Sequence, residues 1–265
     1  MALRSPLLNV MADAAKKAAR GLLRDFGEVE QLQVSVKGPA DFVSNADRKA
    51  EQVILAELSK ARPKYGFLME ENGVRVGEDT SNRWLIDPLD GTTNFLHGIP
   101  QFAISIALER DAQPFAGVIY DPVRDEMFFA EKGGGAFMNE RRIRVGGRQK
   151  LDDAVIATGI PHRGRPGREG YVPGLSAMMD VTAGIRRFGS AALDLAWVGA
   201  GRFDGFWERG LKAWDLAAGV VIVREAGGHV TEIEGGDDML KSGNVLASNP
   251  ILHTAMTDVL KRFPI

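Results

Sequence analysis

The sequence predicts a layered α/β (α+β) fold, with helices packed against sheet. Three observations carry the prediction. Stretches with apolar residues three and four apart, such as Leu8, Met11, Ala15, Ala18, Leu22 and Phe26, read as amphipathic helices. Short apolar or alternating runs between turn residues, such as FAISIALER and PFAGVIYD, read as strands. The two kinds alternate along the whole chain, with no internal repeat and no low-complexity tract.

The elements follow in order. Leu7 to Phe26 is a helix that stops at Gly27. QLQVSVKG is a strand or hairpin arm ending at Gly38-Pro39. SNADRKAEQVILAELSKARP is a second helix, with Ser44 or Asn45 as its cap and Pro63 beyond its end. YGFLMEENG is a short strand running into a turn, and RWLID is another strand. FAISIALER, PFAGVIYD and EMFFAEKGGGAFMN are strands joined by turns near Asp111 and at Asp121-Pro122. DAVIATGI is a strand, and Pro161 to Gly174, rich in Arg, Gly and Pro, is expected to be a mobile loop. Then come a helix (AALDLAWVGAG), a strand (RFDGFWE), and a helix ending at a glycine pair (AWDLAAGVVIVREAGG). HVTEIEGG and NVLASN are strands, and PILHTAMTDVLKRF is the closing helix, capped by Asn249 with Pro250 at its first position. No linker marks a boundary, so residues 1–265 are expected to form one unit, with a soft division near Lys150 into 1–150 and 151–265.

Composition narrows the function. The chain has 265 residues, is 45% hydrophobic and 26% charged, and carries a formal net charge of -2, so nothing points to nucleic acid or an acidic membrane as partner. It has no cysteine, which excludes disulfides, thiolate nucleophiles and Cys-based zinc sites. No signal-type stretch opens it and no apolar run spans a membrane, so a soluble cytoplasmic protein is expected.

The chemistry concentrates in WLIDPLDGTTNFLHG, Trp84 to Gly98. Asp87 ends an apolar run, Pro88 removes a donor, Asp90 follows three residues later, and Gly91 lets the backbone pass close to a ligand. Thr92 and Thr93 stand where a short helix begins, and its first amides suit a phosphate oxygen. Glu70 and Glu71 end another apolar run, and Asp215 lies in the first turn of an apolar helix, where it also suits the helix dipole. Carboxylates that converge repel one another and call for a cation. Hard oxygen donors suit Mg2+ or Mn2+. The four histidines are scattered and form no zinc-type pair. YDPVRDEMF serves as a control: it has the Asp-Pro and the second Asp but no Gly-Thr-Thr, and reads as a plain hairpin turn.

On WLIDPLDGTTNFLHG and WDLAAGVVIVREAGG the chain resembles the inositol monophosphatase family, over nearly its whole length. RRFGSAALDLAWVGAGRFDGFWE is similar to that family's connecting region in a bacterial form. The resemblance implies an alternating αβαβα sandwich and a magnesium-dependent, lithium-sensitive phosphatase, working as a homodimer. It implies that Glu70, Asp87 and the Leu89 carbonyl bind one Mg2+, and that Asp87, Asp90 and Asp215 bind a second. Glu70 would assist a third, weaker ion, and Mn2+ is a possible substitute. Thr92 would orient the attacking water beside Asp47, and the amides of Gly91 and Thr92 would hold phosphate. Asp90, Ala191 (through its backbone), Glu208 and Asp215 would meet the hydroxyls of a sugar or polyol. Lys37 would lie in the family's mobile metal-site loop. Three residues depart from the pattern: Met69 and Asn72 flank Glu70-Glu71 where the family often has Gly and Ser, and Lys212 replaces the His of animal members.

The implied mechanism is in-line attack by water on a phosphate monoester, one ion activating the water and one stabilising the leaving oxygen, with no phosphoenzyme. Myo-inositol monophosphate fits the resemblance best. Fructose 1,6-bisphosphate is second, and a nucleotide 3′-phosphate is a further alternative. The haloacid-dehalogenase pattern fails because Pro88 occupies the nucleophile's place. P-loop chemistry fails because no Gly-Lys-Ser/Thr follows EKGGGAF. A different class is carried from bacterial relatives that bind the transcription or ribosomal-RNA machinery, although no basic stripe with interleaved aromatics supports direct RNA contact.

Overall fold

A computed structural model describes residues 4–28, 34–38, 41–161 and 168–264, with residues 34–38 and 41–44 described by backbone alone. The chain runs α1 (Pro6–Phe26), β1 (Val34–Gly38), β2 (Asp41–Ser44), α2 (Asn45–Ala61), β3 (Tyr65–Met69), β4 (Gly73–Arg75), β5 (Asp79–Asp90) and α3 (Thr92–Leu96). It continues through β6 (Ala103–Arg110), β7 (Gln113–Asp121), β8 (Glu126–Glu131), β9 (Gly135–Met138), β10 (Arg141–Arg142), β11 (Val155–Thr158) and α4 (Arg168–Met179). The remainder is β12 (Gly184–Arg186), α5 (Ala191–Gly199), β13 (Gly205–Glu208), α6 (Ala213–Glu225), β14 (His229–Thr231), α7 (Met239–Ser242), β15 (Val245–Ser248) and α8 (Pro250–Leu260).

Two mixed sheets organise these elements. The larger has the order β10-β9-β8-β7-β6-β5-β3-β4 and the smaller β12-β11-β13-β15-β14, while β1 and β2 form a separate hairpin. Alternation along each strand sorts side chains between faces. Trp84, Ile86, Ile104 and Ile106 point to the face covered by α1 and α2, whereas Leu85, Ala103, Ala107 and Ile119 point to α5 and α6. The opposite side of α5 and α6 packs on the smaller sheet through Leu195, Phe206, Leu216 and Val220. The far face of that sheet is covered by α4 and α8 through Tyr171, Met178, Leu252 and Met256. Five layers result, helix-sheet-helix-sheet-helix, and this is the αβαβα order that the resemblance implied.

Small residues bring the middle layer close. A methyl group on Gly117 would come within 2.6 Å of the Ala218 backbone, and one on Gly219 within 2.5 Å of Leu195. Helix α6 therefore lies directly on β7 and against α5, and its first turn ends up beside the end of β5.

The short elements β2, β4, β10, β12 and α7 were not read from the sequence, and three readings that were made differ from the structure. The Arg/Gly/Pro-rich segment expected to be a loop through Gly174 is helical from Arg168 onward, with Pro173 inside α4. Burial explains it: Tyr171, Gly174 and Met178 form one buried face, and Gly174 lies against Leu260 and Phe263. That packing outweighs weak local propensity. Residues 162–167 of the segment lie outside the described residues, as does the Lys37 side chain. Strand β5 reaches beyond Pro88: pairing with β6 breaks after Asp87↔Ser105 and resumes at Asp90↔Ala103. A residue without an N–H is accommodated at that irregularity. Asn45 is the first residue of α2 rather than its cap.

Candidate active site

The site forms where β5 ends. Asp87 is 2% exposed, and its Oδ1 accepts the Leu89 N–H at 2.9 Å, closing a tight turn over Pro88. Gly91 then adopts φ +98°, and a side chain there would meet the Gln101 carbonyl at 2.9 Å. Only glycine fits that backbone without strain. It launches α3, which Asn94 ties down by donating to the carbonyls of Gln101 (2.8 Å) and Phe188 (2.7 Å).

Three further acids act on Asp87, Asp90 from the same strand and Glu70 and Asp215 from other elements. Glu70 follows β3, which is parallel to β5, and its N–H donates to the Ile86 carbonyl at 3.1 Å. Its side chain is hydrogen-bonded to that of Asp87. Asp90 lies at the end of β5, and its Oδ2 accepts from Ser190 Oγ at 2.5 Å and from the Ala192 N–H at 2.7 Å. Asp215 is in the first turn of α6, where its Oδ2 accepts the Lys212 N–H at 2.7 Å. Asp215 is thus both a helix cap and a neighbour of Asp87. Burial, then the charges of Glu70, Asp90 and Asp215, push the Asp87 carboxyl well above the usual carboxylate range.

This donor set fits a hard divalent cation. Asp87 is shielded from water, and the charges that shift its titration are all negative. Among the described residues no three acidic or histidine side chains stand in the close spacing of a finished cation cage.

The other expected residues take the following places. Thr92 Oγ1 lies 3.2 Å from Asp47 Oδ1 and 3.1 Å from the Leu89 carbonyl, both acceptors. Its single proton is committed to one of them, so its lone pairs are left to accept a hydrogen bond from water. Gly91 and Thr92 stand at the start of α3. Ala191 opens α5, one residue from the amide that Asp90 takes, and is 6% exposed. Glu208 ends β13, and a side chain on Gly159 would collide with its carboxyl group. Lys212 is exposed at the start of α6.

Sequence reasoning missed several contributors. Asp194, on α5, is 1% exposed, and its Oδ1 has no hydrogen-bond partner among the described residues. Burial, then the charges of Glu208 and Asp90, push its carboxyl well above the usual range, opposed by Arg187. Tyr171 senses both Glu208 and Arg187, and burial raises its hydroxyl. Asp90 therefore belongs to two groups, the Asp87 cluster and a polar region around Glu208. One signal was in the sequence: an aspartate in the middle of the apolar LDLAWV. Gly159 and Ser190 gave none.

Among the described residues no helix is long and apolar enough to cross a membrane. A profile described as the inositol monophosphatase family matches residues 3–262. An inositol-1-monophosphatase of Mesorhizobium japonicum is 61% identical over 259 residues, covering 98% of this chain and 97% of that protein. A protein of Vibrio cholerae named Nus factor SuhB is 44% identical over 245 residues, 92% of each chain. The crystal structure of extragenic suppressor protein suhB from Bartonella henselae superposes with a TM-score of 0.95 at 58% identity, covering 97% of this chain and 99% of that one.

Proposed function

The chain belongs to the inositol monophosphatase family and is a phosphatase; from that premise we propose that it hydrolyses the phosphate monoester of a small polyol, myo-inositol monophosphate first, with Mg2+. The observation that carries the reading is the buried Asp87 carboxylate, bonded to Glu70 and in the field of Asp90 and Asp215. Glu70, Asp87 and the Leu89 carbonyl would hold one ion, and Asp87, Asp90 and Asp215 a second. Glu70 would serve a third, and Mn2+ is a substitute. Bound there, the ions would supply a lower pKa for a coordinated water and positive charge to offset that on the phosphoryl oxygens.

The chain's own groups do the rest. Thr92, its proton committed toward Asp47 or Leu89, accepts a hydrogen bond from the attacking water and fixes its direction. The amides of Gly91 and Thr92 hold the phosphate. Glu208, Asp90 and Asp215, with the backbone of Ala191, meet the polyol hydroxyls. Water attacks directly and no phosphoenzyme forms; phosphate trapped on an aspartate in single-turnover work would contradict this.

A substrate panel tests the whole reading: inositol 1-phosphate, fructose 1,6-bisphosphate and a nucleotide 3′-phosphate, each with Mg2+, with Mg2+ plus Li+, and in EDTA. The highest kcat/KM is expected for inositol 1-phosphate, with inhibition by Li+ and none of the activity left in EDTA. A higher kcat/KM for either other ester reassigns the substrate.

Relatives named Nus factor SuhB support a second, regulatory reading, in which the protein contacts the transcription machinery. A cellular role that survives Asp87→Asn does not use hydrolysis. We place the protein in the cytoplasm, in line with its lack of cysteine. We also infer a homodimer. Its support is an exposed apolar stretch in which Phe188 packs on Trp197, Arg124 lies over Trp197, and Ile99 and Val123 are exposed. Light scattering at the monomer mass would refute the dimer.

A further inference from the structure

Helix α2 carries two carboxylates one turn apart, Asp47 and Glu51, both 0% exposed. Residues four apart share a helix face, so these two look into the molecule side by side. A buried charge persists only where it is well bonded. Asp47 meets Thr92 Oγ1 at 3.2 Å. Glu51 reaches the opposite side of the site. Its Oε2 accepts the Glu71 N–H at 2.9 Å, and its Oε1 accepts the Asn72 N–H at 3.0 Å and Asn72 Nδ2 at 2.5 Å.

These bonds surround Glu70. Its own N–H is held by the Ile86 carbonyl at 3.1 Å, next to Asp87. The next two amides are held by Glu51. Gly73, at φ +70°, then turns the chain back into β4. Three consecutive amides are thereby fixed, the first to β5 and the other two to α2. The backbone carrying Glu70 is clamped on both sides while its side chain bonds to Asp87. One helix thus ties the Glu70 turn to the Thr92 hydroxyl.

We propose that Glu51 is a positioning residue that sets the affinity of the site for Mg2+ by fixing the Glu70 turn. This rests on the reading of Glu70 as a cation ligand. A ligand held in place loses little freedom when the ion arrives, and partners that orient ligands govern affinity. Glu51 touches neither substrate nor ion.

The test compares wild type with Glu51→Gln, Glu51→Asp and Asn72→Ala. Mg2+ binding is followed by isothermal titration without substrate, thermal unfolding in EDTA, and kcat against Mg2+ concentration. Glu51→Gln keeps the volume but turns an acceptor into an NH2 group facing an N–H. It should weaken Mg2+ binding by roughly tenfold or more, with kcat at saturating Mg2+ close to wild type. Glu51→Asp keeps the charge and should restore part of the affinity. Asn72→Ala removes one bond at an exposed position and should weaken binding by about threefold. If Glu51→Gln does not fold, Asn72→Ala decides the question. Unchanged Mg2+ affinity in the variants, even with a lower melting temperature, overturns the proposal and leaves the function standing. A wild-type protein that binds no Mg2+ overturns both.

Discussion

Two turns in this protein share a local sequence and differ in everything around it. Ile86-Asp87-Pro88-Leu89-Asp90 and Tyr120-Asp121-Pro122-Val123-Arg124-Asp125 both end a strand of the larger sheet. In each the first aspartate is buried, 2% exposed at Asp87 and 0% at Asp121. Each accepts the amide two residues on, at 2.9 and 3.0 Å. There the likeness stops. Asp121 also takes the Arg124 amide at 3.0 Å and the Arg124 guanidinium at 2.6 Å, so its charge is answered within the turn. Asp87 instead faces Glu70, Asp90 and Asp215. The local sequence makes the turn, and the neighbours decide whether its carboxylate is a structural tie or a cation ligand.

The comparison is sharpest when the two aspartates are changed in the same way. Asp87→Asn removes a ligand shared by both ions, and kcat/KM should fall on the order of a thousandfold, the several kcal/mol that such ions supply to the transition state. Asp121→Asn should leave kcat/KM within about twofold. Its cost should appear in stability instead, about 1 kcal/mol by urea denaturation, because the amide bonds survive and the lost ion pair is with a partly exposed arginine. Equal losses of activity in the two variants would break the distinction.

A second expectation concerns the polar region on the other side of Asp90. Glu208→Ala should raise KM for a polyol phosphate by roughly tenfold, the value of a hydrogen bond to a charged group. It should lower kcat less, because it acts on binding rather than on the phosphoryl group. The reverse pattern in steady-state kinetics removes Glu208 from the substrate contacts.

The smallest effect is a slope with pH. Burial and three negative neighbours hold the Asp87 proton more tightly in the native chain than in the unfolded one, whose carboxyl titrates near about 4. In the metal-free protein the native state therefore binds more protons, and stability falls as pH rises from about 4 through the native titration. Asp87→Asn abolishes that contribution, so in EDTA the variant should gain on wild type as pH rises. Saturating Mg2+ should reverse the order. A pH-independent difference between them would show that Asp87 carries no unusual proton affinity.

Much of this was legible in the chain. Asp87, Asp90, Gly91 and Thr92 lie within six residues, and their turn chemistry follows from Pro88 and from a glycine that must adopt positive φ. Asp215 was legible as a helix-start acid, and Glu70 as an acid at a strand end. Helix α4 was misread because Gly170, Pro173 and Gly174 argue locally for a loop, whereas Tyr171 and Met178 find a buried face on α8 and the smaller sheet. Glu51 looked like any charged residue on a helix, since nothing in SNADRKAEQV says which side of the helix meets the Glu70 turn.

By itself the sequence determined most of the long elements, the turns and the kinds of donor, because periodicity, proline, glycine and carboxylate chemistry act over a few residues. It also determined the family, through two motifs more than a hundred residues apart. Only the tertiary structure decided which acids share a pocket. The parallel pairing of β3 with β5 brings Glu70 beside Asp87. The close seat of α6 on Gly117 brings in Asp215, and α2 locks both loops. Electrostatic repulsion and hydrogen bonding depend on distance through space, and the chain fixes that distance only when its layers close.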